Sequence, residues 1–210
     1  MKKTNLVKKL ILTLGSMAVC MVLIGVSVYA ALSQTTAINN TITISTAGQA
    51  KAEVKVYQQV VTGSTAVTLD NVKAIADTEQ AWGTEIFTKA SNVDSDTCDS
   101  DDGLTAITFD QTTGKNIYAY KITVKNEATV ALKATITSTA EANAEVDVYF
   151  GKTLANATKL DNNTAVSLTD DSLAIGATNT YYVVVCANTT LADMTAASGT
   201  PFNLTVTAAV

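Results

Sequence analysis

Period-two alternation of apolar and polar residues constrains this chain more than any other feature. Tyr118, Tyr120, Ile122 and Val124 alternate with Ala119, Lys121, Thr123 and Lys125. Val130, Leu132, Ala134 and Ile136 alternate with Ala131, Lys133, Thr135 and Thr137. The same pattern runs through Val146, Val148 and Phe150, and through Phe202, Leu204, Val206 and Ala208. Successive side chains of a strand point to opposite faces, so each segment buries one face and wets the other. Ala52 to Val61 and the shorter Leu104 to Phe109 are further candidate strands. Tyr181 to Cys186 is apolar without a break, which predicts a central strand covered on both sides. Turn signals separate these runs at Gly63, Gly103, Gly114, Asn162, Gly176 and Gly199, and Thr169-Asp170-Asp171 reads as a short turn before the Tyr181 strand. Helical spacing is confined to one short candidate, Asn71 to Trp82, with Trp82 read as a core or loop anchor. These patterns predict an all-β chain, an antiparallel β-sandwich in a single domain.

The N-terminus obeys different physics. Of the 14 basic residues, all lysine, four lie at Lys2, Lys3, Lys8 and Lys9, and residues 1–30 contain no acid. A nearly unbroken apolar run follows from Leu10 to Leu32. A basic tip, an apolar stretch and small residues before a cut are the parts of an export signal. Residues 1–30 are therefore read as a signal peptide, cut by a signal peptidase between Ala30 and Ala31. An uncut run is long enough to anchor the chain in a membrane. Removal of the leader leaves ten lysines against 19 acids, a body charge of −9 instead of the −5 of the whole chain.

Composition excludes several chemistries. There is no His, which removes imidazole acid–base catalysis, triads of the Ser-His-Asp kind and His-ligated zinc. There is no Arg, which removes bidentate recognition of phosphate. An acidic body argues against nucleic acid as a partner. The chain reads as structural and not as an enzyme. Export makes a Cys98–Cys186 disulfide one reading of the two body cysteines; two separate thiols is the other. Asp94, Asp96, Asp99, Asp101 and Asp102 crowd one segment, read either as a calcium site, the one cofactor considered, or as a solvated acidic loop. The spacing does not match an EF-hand. Lys121, Lys125 and Asn126 beside Glu127 have the residue types of a Lys–Asn isopeptide cross-link, but no motif selects a reacting trio.

Several segments together resemble a known family. Gly25-Val-Ser-Val-Tyr-Ala-Ala-Leu-Ser33, followed by Asn39-Asn-Thr-Ile-Thr43, resembles proteins cut by the SipW-type signal peptidase. Tyr118-Ala-Tyr-Lys-Ile-Thr-Val-Lys-Asn126 with Ala128 to Leu132, then Ile175 to Tyr181, and the closing Phe202 to Ala208 are similar to strands and turns of the TasA/camelysin family of biofilm-matrix fibre proteins. The resemblance implies a jelly-roll-like sandwich, a secreted fibre subunit that assembles with copies of itself, and strand donation as the mechanism. The protease label attached to some camelysin-like proteins has no H-E-x-x-H here to support it.

Residues 31–50 are the candidate donor. Ala31 to Gly48 carries no charge, and Ile38, Ile42 and Ile44 give it a short alternating segment. It reads either as the first strand of the chain's own sandwich, residues 51–210 forming the rest, or as a strand given to a neighbour by β-augmentation. Donation need not close on itself and so can make filaments. The alternative to a fibre is a membrane-tethered surface β-sandwich that acts as a binding module.

Overall fold

In the computed structural model, the described residues are 35–38, 41–46, 50–62, 82, 85–102, 104, 107–110, 115–140, 146–187 and 202–210. The export signal and its cut at Ala30–Ala31 lie outside the described residues. So do residues 71–81 of the predicted helix; Trp82 itself is described and has no regular structure. Among the described residues no helix is long and apolar enough to cross a membrane.

The alternating segments become strands. In chain order they are β1 (Thr35–Ile38), β2 (Thr41–Thr46), β3 (Ala52–Thr62), β4 (Glu85–Lys89), β5 (Ser95–Cys98), β6 (Ile107–Asp110), β7 (Lys115–Asn126), β8 (Leu132–Ala140), β9 (Val146–Gly151), β10 (Thr158–Lys159), β11 (Ala165–Leu173), β12 (Thr178–Ala187) and β13 (Phe202–Ala209). One sheet has the order β1-β6-β7-β12-β9-β10, with β3 also on β7 and β4 beyond it. The other has the order β11-β8-β13-β2-β5. The chain passes from sheet to sheet at most connections, a jelly-roll-like sandwich as expected. Among the described strands the pair β13–β2 is parallel and every other pair is antiparallel.

Alternation decides which side chains meet. Tyr118, Tyr120, Ile122 and Val124 of β7 face inward, against Ile42, Ile44, Ala134, Ile136, Leu204 and Val206 of the other sheet, in one buried core. Tyr120 and Phe202 join the two sheets, with ring centroids 5.4 Å apart and tilted by 58°. The continuous run in β12 is buried from Tyr181 to Ala187, because this strand is covered on both sides. Its odd-numbered residues enter the inner core; Tyr182, Val184 and Cys186 enter a second cluster on the outer face with Trp82, Tyr149 and Leu154. Trp82 is 6% exposed and packs on Tyr182, centroids 5.8 Å apart, so it is an anchor as read. A short 3-10 turn, Leu154–Asn156, covers this outer cluster. It lies so close that a Cβ on Gly151 would stand 2.7 Å from Ala157 Cα.

Three local expectations are corrected. The acidic segment contains β5, because its short run can bond to β2 while Ser95, Asp96 and Thr97 keep their side chains in water and only Cys98 turns inward. The stretch read as a turn at Thr169-Asp170-Asp171 lies within β11, an edge strand whose exposed face tolerates polar residues. Val130, expected inside a strand, lies in the turn before β8 and is exposed.

Candidate functional site

The site begins with β2. Thr41-Ile-Thr-Ile-Ser-Thr alternates β-branched residues, a composition that fits a half-buried pleated strand. Ile42 and Ile44 point inward and are fully buried. Each contributes roughly 1.5–3 kcal/mol by leaving water. On one side β2 runs parallel to β13, from Thr41↔Asn203 to Thr46↔Ala208. On the other it pairs antiparallel with β5, from Ile42↔Cys98 to Ser45↔Ser95. At its far end Thr46 donates its backbone N–H to Asp94 O at 2.7 Å, and its hydroxyl to the same oxygen at 3.0 Å. Within one chain the candidate donor segment is thus a strand of its own sandwich, held in an interior position. Ile38 ends β1, where its backbone pairs with Ile107.

The edges of that sheet resist addition of further strands. β5 is four residues long, and Asp96 and Asp99 place charge along it and at its end. β11 has a bulge between Asp170 and Leu173 and carries Asp170 and Asp171. Short, bulged and charged edges disfavour edge-to-edge pairing.

The aspartates serve the backbone locally. Asp96 Oδ1 accepts from Thr97 N at 2.9 Å, Asp99 Oδ1 from Asp101 N at 2.9 Å, and Asp102 Oδ2 from Asp99 N at 3.3 Å. Asp94 supplies its carbonyl to Thr46. Among the described residues no three His, Cys, Asp or Glu side chains converge to hold a metal ion. The acidic cluster therefore reads as backbone capping in a solvated segment, and the calcium reading gains no geometry.

The disulfide reading is corrected. Cys98 and Cys186 are both free and buried. Cys98 belongs to the inner core and Cys186 to the outer cluster, so the sheet containing β12 stands between them. No rotamer change reaches across a sheet. Burial pushes both thiols up to about 12, helped for Cys98 by Asp102, Asp99 and Asp96. We predict that a thiol reagent at pH 8 leaves both unlabelled in the folded body and labels both in denaturant. A body that yields no thiol in denaturant would establish the bridge instead.

Among the described residues, Lys121, Lys125 and Asn126 form no isopeptide trio with Glu127 either. Lys125 pairs with Glu127 at 2.8 Å, and Lys121 lies 4.6 Å from the centroid of the Tyr57 ring. The Asn126 amide is fully engaged. Its Nδ2 donates to Val130 O at 2.8 Å and to Leu173 O at 2.9 Å, and its Oδ1 accepts from Ala128 N at 2.8 Å. Its backbone N–H donates to Ala177 O, and its carbonyl accepts from Gly176 N, both at 2.9 Å. Gly176 reaches that position with φ of 75°, a conformation open to glycine. One buried asparagine thus ties the β7–β8 turn to the β11–β12 turn.

Lys89 was not singled out from the sequence. It follows Phe87 on the inward face of β4 and is 0% exposed. Its Nζ donates to Ala52 O and Ala90 O, both at 3.2 Å, and among the described residues it forms no ion pair. The signal available was its alternation with Phe87, which a lysine label hides. Burial pulls its pKa below the ordinary 10.5, against the opposing pull of Asp94 and Asp96. The folded state therefore binds this proton less tightly than the unfolded state. Stability rises with pH between the lowered folded value and 10.5. In Lys89→Met that contribution is absent, so the stability of the natural chain relative to the variant should grow from pH 7.5 to pH 10. Urea titrations of both proteins check this, and a constant difference would refute it.

The sequence matches no family model and no curated protein. Among solved structures, the A domain of epithelial adhesin 9 from Candida glabrata, in complex with Galb1-4GlcNAc, is 7% identical at a TM-score of 0.27 over 72% of this chain and 82% of that one. A cupin-like protein from Thermotoga maritima is 8% identical at a TM-score of 0.15, over 36% of this chain and 60% of that one. An α-xylosidase from Xanthomonas citri is 13% identical at a TM-score of 0.23, over 75% of this chain and 15% of that one. These likenesses are too remote to carry an argument.

Proposed function

We propose that this chain is a secreted structural subunit of an extracellular fibre or biofilm matrix, in the manner of the TasA/camelysin proteins it resembles. Copies join by exchange of the N-terminal strand β2. The observation that carries this reading is the position of β2, an interior strand that contributes two fully buried isoleucines and is flanked by two strands from later in the chain. An identical strand from a second copy makes the same main-chain bonds and fills the same pockets, which is the basis of domain swapping. The blunted edges of the sheet support exchange over simple addition. Removal of the leader by signal peptidase frees the end of the chain that must move.

Electron microscopy and N-terminal sequencing of protein recovered from the medium test the reading. Filaments of chains that begin at Ala31 are expected. Monomers retained in the membrane fraction and beginning at Met1 would favour the tethered binding module instead.

A further inference from the structure

The outward face of the five-stranded sheet repeats one kind of side chain. Ile42, Ile44, Ala134, Ile136, Leu204 and Val206 turn inward and are buried, so the residues between them turn out to solvent. Strand pairing sets those outward residues in rows. Thr97 of β5 opposes Thr43 of β2, Thr43 stands beside Thr205 of β13, Thr205 opposes Thr137 of β8, and Thr137 opposes Ser167 of β11. The adjacent row runs the same way through Ser95, Ser45, Thr207, Thr135 and Thr169. Each position of both rows carries a hydroxyl, and each is exposed or half-buried.

Hydroxyls of this array bond along the rows. Thr137 Oγ1 and Ser167 Oγ are 2.8 Å apart, and Thr135 Oγ1 and Thr169 Oγ1 are 3.2 Å apart. The Thr207 hydroxyl donates to the Thr135 carbonyl at 3.3 Å. Branching at Cβ leaves threonine few χ1 choices, so the array is stiff before anything binds, which lowers the entropy cost of binding. Neither row holds a charged or aromatic side chain. Charge returns in the next row, where Lys133 pairs with Asp171 at 2.9 Å. Exposed faces normally mix charges of both signs. The outward face of the other sheet does so: Lys55 pairs with Glu53 and Glu85, Lys159 pairs with Asp147, and Trp82 and Tyr182 pack there.

Spacing and chemistry name the occupant. Neighbouring strands lie about 4.7–4.9 Å apart, and alternate residues along a strand about 6.4–6.8 Å apart. These distances are close to the two oxygen repeats on the prism face of hexagonal ice. Each threonine offers such a lattice a hydroxyl, which takes the hydrogen bonds of one water, and a methyl group, which rests between waters. A charged side chain would hold its own hydration shell against the lattice, and neither row has one. A saccharide would call for an aromatic surface to stack on, and the rows have none. Sheet twist turns neighbouring strands by about 20–25°, so the fit is to a patch of adjacent strands and not to a broad crystal plane. We propose that the hydroxyl rows centred on β8, β13 and β2 bind ice, with Thr43, Thr137 and Thr205 at the middle of the contact. A single copy and a filament present this face alike, so ice binding is separate from the fibre reading.

The test uses the full chain, secreted and recovered from the medium, and ice grown slowly through its solution. The natural protein should be enriched in the ice over the liquid. Thr205→Tyr puts a bulky group at the centre of the array. Thr205 is exposed and tyrosine suits a strand, so this variant should match the natural protein in circular dichroism and in urea midpoint. Its uptake into ice should fall by about tenfold or more. Lys159→Tyr, on the other sheet, should be taken up like the natural protein. A natural chain excluded from ice as ordinary solutes are overturns the proposal, as does full uptake of folded Thr205→Tyr. Sedimentation distinguishes a second copy as the occupant: self-association weakened by Thr205→Tyr, without uptake of the natural chain into ice, also overturns it.

Discussion

Asn126→Leu is expected to lower stability by about 3–6 kcal/mol, because a buried group left without its partner costs about 1–3 kcal/mol. Leucine is close to asparagine in size, so the loss is not one of volume. It strands the carbonyls of Val130 and Leu173 and the N–H of Ala128 in a site where Asn126 is 0% exposed. Domains of this kind have about 5–15 kcal/mol in total, so the variant approaches the limit of folding. Asn126→Asp should fare no better at pH 7. It keeps an acceptor for Ala128 but turns a carboxylate oxygen toward two carbonyl oxygens. Urea unfolding followed by fluorescence measures both variants. A loss below about 1 kcal/mol for Asn126→Leu would mean that water or a shifted turn replaces the side chain.

The second large effect is expected at β2. Ile42→Ala and Ile44→Ala should each cost about 2–5 kcal/mol, the usual range for emptying a buried aliphatic site. They are neighbours on one face, so the double variant need not show the sum. Stability alone would not separate a structural strand from an exchanged one. Mixing does. A double-variant copy keeps the β13 and β5 surfaces that receive β2, yet offers a poor strand of its own. Added to the natural protein at a few per cent, it should shorten filaments out of proportion to its amount, since a copy that accepts but does not donate ends the chain of exchanges. Filament lengths that merely follow dilution would show that β2 does not pass between copies.

Much of this fold was legible because alternation is a direct consequence of strand geometry. β7, β8, β9 and β13 follow their apolar residues with one shift, the exposure of Val130. The unbroken run in β12 foretold a strand covered on both faces, and the second cluster around Trp82 and Tyr182 supplies the outer cover. β5 and β11 were hidden because edge strands need backbone partners more than apolar side chains. Ser95-Asp-Thr-Cys98 has one buried residue, Cys98, and its place is set by β2. Lys89 was hidden because its inward direction depends on β4 pairing with β3, at Val54↔Lys89, which local composition cannot reveal. The cysteines invited a bridge on the grounds of export alone; the parity of Cys186 along β12 sends it to the wrong face. In the candidate site, Ile42 and Ile44 were visible as an alternating pair. Their parallel pairing with the far end of the chain was not, because a parallel partner leaves no mark in nearby sequence.

Strand exchange itself can be read directly from one covalent bond. Ile42 and Cys98 are opposed across β2 and β5, and both side chains are fully buried. Opposed residues of an antiparallel pair lie about 4.5–5.5 Å apart at Cα, within the range of a disulfide. An Ile42→Cys chain, secreted, allowed to assemble and then oxidised, can therefore join β2 to whichever β5 it occupies. Exchange predicts a ladder of covalent multiples on a non-reducing gel that collapses to one band on reduction. Oxidised filaments that run as single chains would show that every copy keeps its own β2, and would contradict the account.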